Sequence, residues 1–114
     1  MVINIEEFEG VSLHDWSKMV TVIDRNVPFE AMYEQLAEEA AELAQAALKV
    51  SRTIRGENPT PMTQRQAHEN VVEELADLAV VCEVIGLEPD KSIMLKKMQR
   101  WADRLKGGGK NGVG

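Results

Sequence analysis

The chain has 114 residues and a net charge of −6, enough for one domain and unfavourable for duplex nucleic acid, where affinity rests on Lys and Arg neutralising phosphates. Its hydrophobic fraction is 44% but its aromatic fraction only 4%, so the composition is globular and the core must be aliphatic. A single cysteine, Cys82, excludes an intrachain disulfide; no apolar run is long enough to span a bilayer, and Met1 to Gly10, with Glu6, Glu7 and Glu9, lack a signal-peptide pattern, so a cytoplasmic protein is expected.

Ser12 is a candidate N-cap for a first helix running to about Arg25, with Leu13, Trp16, Val20 and Ile23 at helical spacing. Asn26, Val27 and Pro28 interrupt it, and Pro28 suits the first turn of a second helix. That helix extends to Arg55, with Gly56 as its stop. Its apolar stripe reads Leu36, Ala40, Leu43, Ala47, Val50, Ile54.

A loop holding Pro59 and Pro61 follows, and Thr63 with Gln66 forms a capping box for a third helix that stops at Gly86. The third helix has the stripe Val71, Leu75, Leu78, Cys82, Ile85, which makes Cys82 a core residue. Pro89 and Asp90 open a fourth helix to about Lys106, striped by Met94, Met98, Trp101 and Leu105. No segment alternates like a half-buried strand. The expectation is an all-α fold, four helices forming a bundle, with one domain over residues 1–106 and a flexible glycine-rich tail over 107–114.

The chemistry lies in a short internal repeat. Glu38-Glu39-Ala40-Ala41-Glu42-Leu43-Ala44 matches Glu73-Glu74-Leu75-Ala76-Asp77-Leu78-Ala79. On a helical wheel, Glu39 and Glu42 lie on one flank of the stripe measured from Leu36, and Glu74 and Asp77 lie on the same flank measured from Val71. Glu38 and Glu73 fall on the far face, about 200° from the stripe centre at 100° per residue. One Glu-x-x-Glu is ordinary on a solvated helix, since Glu is a good helix former. Two copies on matched flanks of two helices able to pack against each other could converge. Four carboxylates brought together repel one another, and a hard divalent cation, Mg²⁺ or Mn²⁺, is the economical way to offset that. Glu39 is thus both a ligand and a candidate catalytic group. Glu38 is a candidate for activating water as well as for simple solvation.

On the fourth helix, Lys97 and Arg104 share one flank of the stripe, whereas Lys96 and Arg100 point away. Two cations on one flank can hold substrate phosphates; they can equally complement a helix C-terminus. His14 and His68 are isolated and no Glu-x-x-His pair is present, which argues against a di-iron bundle. Trp16 is a candidate for stacking on a base, with core packing as the alternative. A non-catalytic helical oligomer acting as a regulatory partner would share the apolar stripes but gain nothing from matched acids.

With these paired motifs the chain resembles the MazG-like all-α nucleotide pyrophosphohydrolases over roughly Pro28 to Leu105. The resemblance implies Mg²⁺-dependent hydrolysis of a nucleoside triphosphate, a deoxy- or non-standard nucleotide included, to the monophosphate and pyrophosphate. It implies Glu39, Glu42, Glu74 and Asp77 as the metal ligands, Lys97 and Arg104 as the phosphate-binding cations, and a homodimer or homotetramer of helical bundles.

Overall fold

The computed structural model describes residues 10–56 and 61–108. Four helices follow in order: α1 Leu13–Asn26, α2 Phe29–Arg55, α3 Gln64–Ile85 and α4 Lys91–Gly108. No strand occurs among the described residues. The all-α expectation is met. α4 extends two residues past the expected domain boundary, and residues 109–114 and the loop residue Pro59 lie outside the described residues.

Local chemistry fixes the helix ends. The Ser12 hydroxyl accepts the Asp15 N–H at 3.1 Å and starts α1. Thr63 and Gln66 form the full reciprocal box at the start of α3: the Gln66 N–H donates to the Thr63 hydroxyl at 3.1 Å, and the Thr63 N–H donates to the Gln66 side chain at 2.9 Å. At the end of α3, Gly86 adopts φ 80°, and its N–H and that of Leu87 satisfy the Cys82 carbonyl. Asp90 opens α4 by accepting hydrogen bonds from the Ser92 hydroxyl and the Ser92 and Ile93 N–H groups. The Ser92 hydroxyl first, then the Ile93 N–H, hold the Asp90 carboxyl below its ordinary value, so the charged form is the one that caps.

α2 has 27 residues and is about 40 Å long at 1.5 Å per residue. The eight-residue connection from Gly56 to Thr63 spans at most about 30 Å, so α3 must fold back antiparallel along α2. These two helices form the main packing seam, and α1 packs more lightly on α3. The enclosed residues are Met32, Ala46, Ala67, Ala79 and Val81, and no large side chain among the described residues is fully buried.

The seam is turned from where the sequence places it. Of the stripe read for α2, Ala40, Ala47 and Ile54 are exposed, while Met32 and Ala46 are enclosed. On α3, Leu75 is exposed and Ala67 and Val81 are enclosed. Met32, Glu39 and Ala46 recur every seven residues on α2, and Ala67, Glu74 and Val81 every seven on α3. Such a repeat keeps one line of a helix facing its partner. Antiparallel packing sets these residues in three layers: Met32 with Val81 at one end, Ala46 with Ala67 at the other, and Glu39 with Glu74 between them. The buried faces therefore combine the glutamate lines with part of each stripe: Leu36, Leu43 and Val50 on α2 and Val71, Leu78, Cys82 and Ile85 on α3 are half-buried. Both helices carry apolar residues over too wide an arc for one contact, and periodicity alone averages two faces into one.

Loss of a cap of this kind costs about 1 kcal/mol. Thr63→Ala should lower the unfolding free energy by about that amount in urea denaturation. The conservative Thr63→Ser should restore most of it.

Candidate metal centre

The fold brings together the four acids that the repeat singles out. Glu39, Glu42, Glu74 and Asp77 each present a carboxylate oxygen within 4.8 Å of the others. Glu39 and Glu74 are half-buried in the middle layer of the seam, and Glu42 and Asp77 are exposed at its edge. The wheel explains the split. Glu42 and Asp77 stand about 60° from Glu39 and Glu74, toward one side of the seam. The helices run antiparallel, so that side is the same for both. The cluster thus has a floor of two half-buried carboxylates and a mouth of two exposed ones.

Hydrogen bonding leaves part of the floor unsatisfied. The Gln35 amide donates to Glu39 Oε1 at 2.7 Å. Glu39 Oε2 and Glu74 Oε2 are shielded from solvent and accept no hydrogen bond. A buried acceptor without a partner costs about 1–3 kcal/mol, and more when it is charged. Carboxylate charges brought within 4.8 Å of one another also repel. Two carboxylates in one cluster, each with an unpartnered buried oxygen, leave acceptor capacity that a positive group could use. Hard oxygen donors in this number fit Mg²⁺ or Mn²⁺, and the two unpartnered oxygens are where such an ion would bind most deeply.

Gln35 lies outside the matched segments; its counterpart on α3, Asn70, also carries an amide, which donates to Met62 Sδ at 3.9 Å. The signal that could have found Gln35 is its position one turn before Glu39, where a Gln–carboxylate pair at i and i+4 is favourable. It fixes the orientation of one floor carboxylate.

Glu38 and Glu73 lie outside the cluster. Both are exposed, in keeping with a wheel position away from the stripe. Each lies about 40° from the exposed acid one turn on, Glu42 or Asp77. They stand on the outer rim of the mouth, exposed to solvent.

The structure does not bring the cations of the fourth helix to this site. α4 packs along no other helix, and every residue from Lys91 to Gly107 is exposed. Nothing within the protomer therefore carries Lys97 or Arg104 toward the acids. Lys49 lies on the same side of α2 as Glu42, seven residues on, which is about 10 Å along the helix.

Trp16 is half-buried and lines a cavity of about 160 Å³ between α1 and α3, together with Met19, Val20, Ile23, Val80, Glu83 and Val84. Its surroundings are those of a packing residue. Cys82 is half-buried on α3, as its stripe position predicts. No helix among the described residues is long and apolar enough to cross a membrane. Comparison of the chain with protein-family models, with curated proteins and with solved structures finds no match to any of the three.

Proposed function

We propose that this protein is a divalent-cation-dependent nucleoside triphosphate pyrophosphohydrolase. The observation that carries the proposal is the convergence of Glu39, Glu42, Glu74 and Asp77, with an unpartnered buried oxygen on each floor glutamate. The paired motif that resembles the MazG-like enzymes supplies the reaction class. A non-catalytic helical oligomer would account for the apolar faces of the chain. It would give no reason to keep two glutamates in the middle of the seam.

Glu39 and Glu74 would hold Mg²⁺ or Mn²⁺ from below, and Glu42 and Asp77 would complete the donor set at the mouth. A bound divalent cation supplies neutralisation of the triphosphate charge. Gln35 holds the Glu39 carboxylate in one orientation, which leaves its other oxygen for the ion. Glu38, on the rim, is placed to orient a water toward the α-phosphorus and to take its proton. The bond from the α-phosphorus to the bridging oxygen breaks, and pyrophosphate leaves with the electron pair. The products are a nucleoside monophosphate and pyrophosphate. Lys49 is the cation best placed by helix geometry to meet the outer phosphates, a role the sequence alone assigns to Lys97 and Arg104.

Chromatography of a reaction with Mg²⁺ and a panel of ribo- and deoxynucleoside triphosphates should show monophosphate and pyrophosphate as the first products. A diphosphate with orthophosphate would rule out attack at the α-phosphorus. Lys49→Ala should weaken use of the triphosphate by about tenfold, the scale of one charged hydrogen bond, and more than Lys96→Ala.

The site also predicts a link to stability. An ion that binds only the folded chain stabilises it by about 2.7 kcal/mol at a hundred times its dissociation constant. Millimolar Mg²⁺ should raise Tm in the wild type. Glu74→Gln should remove most of that rise and most of the activity, while leaving the metal-free protein at least as stable, because repulsion in the seam falls. Glu73→Gln, outside the cluster, should keep the rise. A wild-type Tm indifferent to Mg²⁺ and Mn²⁺ would overturn the metal site.

A further inference from the structure

α1 and α3 leave a cavity of about 160 Å³ between them, walled by Trp16 and Ile23 on one side and by Val80 and Val84 on the other. Packed interiors seldom hold a void much larger than a water molecule, because its lining forfeits contacts on the empty side. Packing holds Trp16 half-buried, so the wall it offers is fixed. One charged side chain, the half-buried Glu83, lines the same cavity.

The cavity adjoins the acid mouth. Val80 follows Asp77 by three residues on α3, which makes the two side chains neighbours on the helix surface. Val84 follows Asp77 by seven and lies within about 20° of its flank. The wall therefore starts about 4.5 Å along the helix from the exposed acid and continues to about 10 Å. A nucleotide whose phosphates meet an ion at the mouth has its base one sugar away, which is the scale of that step.

We infer that this cavity receives the base of the triphosphate and that the base is cytosine, with Glu83 accepting a hydrogen bond from the exocyclic amino group. The inference rests on the proposed hydrolysis at the acid cluster and adds the substrate class to it.

Size selects the ring. A cavity of this volume holds one benzene-sized ring, and it falls below the roughly 300 Å³ at which drug-sized pockets begin. One ring is a pyrimidine; a purine needs room for two. The aromatic wall suits either, because every base has a π face.

Charge selects among the pyrimidines. Cytosine presents its N4 amino group, a donor that Glu and Asp side chains accept, where thymine and uracil present the O4 acceptor. A carboxylate facing O4 sets a negative charge against a lone pair with no proton between them. Glu83 thus favours cytosine and works against uracil and thymine, so one side chain supplies both the attraction and the rejection. Adenine carries a comparable amino donor, but on the double ring.

Initial rates with Mg²⁺ should favour CTP and dCTP over UTP, dTTP, ATP and GTP by about tenfold or more in kcat/KM, the scale of one hydrogen bond to a charged group. Glu83→Gln should shrink that preference by raising KM for the cytosine nucleotides. Val84→Phe, which fills the cavity, should raise KM for every nucleotide while Mg²⁺ still raises Tm, and this separates the cavity from the acid cluster. Equal kcat/KM across the bases, preference for a purine or for uracil, or a cytosine preference that survives both substitutions would overturn the inference and leave the hydrolase reading standing. If no triphosphate is cleaved, the hydrolase reading fails and the cavity is read directly. With Trp101→Phe, Trp16 is the one tryptophan left in the chain. Its fluorescence should then be quenched by dCMP at concentrations about tenfold lower than by dUMP. Equal quenching by the two, or none by either, would overturn the cytosine site as well.

Discussion

The middle layer of the α2–α3 seam is the feature on which the rest depends. Met32 with Val81 and Ala46 with Ala67 give the seam its apolar ends, and Glu39 and Glu74 occupy the position between them. A helical hairpin held by so few enclosed side chains has little stability in reserve, since a domain of this size is marginal even with a full core. Two half-buried carboxylates in its centre work directly against it. Replacing them with leucines would be the simpler way to close the hairpin. Their presence is intelligible when the cost in the empty state is offset by something bound, and four oxygen donors within 4.8 Å are suited to a small divalent cation.

Stability outside the seam has to come from elsewhere. α1 adds a light contact on α3 and leaves a cavity of about 160 Å³ beside Trp16. α4 makes no extended packing contact with another helix of the protomer. The capped helix ends keep each helix formed, but caps contribute about 1 kcal/mol apiece and do not create a core. The protomer is better seen as one helical hairpin with two attached helices, much of its remaining apolar area exposed.

Much of this was legible in the sequence, and the pattern of what was not has a physical cause. Helix ends were read correctly at Ser12, Gly56, Thr63 and Gly86, because capping depends on one side chain or one backbone angle and needs no tertiary information. The grouping of Glu39, Glu42, Glu74 and Asp77 was legible because two copies of one motif, on two helices joined by a short connection, share a wheel angle. The orientation of the seam was not legible. Ala40, Ala47 and Leu75 fit the helical period as well as Met32, Ala46 and Val81 do, and only packing shows which set faces the partner helix. The position of Lys97 and Arg104 relative to the acids was not legible either: amphipathicity shows that α4 has an apolar face and says nothing of what that face meets.

The alanines explain why the acids can meet. Interaxial distances in helix pairs run from about 8 to 10 Å, and the side chains at the contact set the value. Ala46 and Ala67 occupy the seam layer next to the glutamates, and Ala79 is enclosed nearby on α3. Methyl groups there let the backbones come close. At that separation, short i and i+3 pairs from both helices can converge on one point, which larger residues in the neighbouring layer would prevent. The same economy thins the core. A seam built from leucines would hold the hairpin more firmly and hold the carboxylates apart. The small residues that assemble the acid cluster are thus the ones that leave the protomer short of buried area. The acid cluster and the thin core thus share one physical cause, the small residues of the seam.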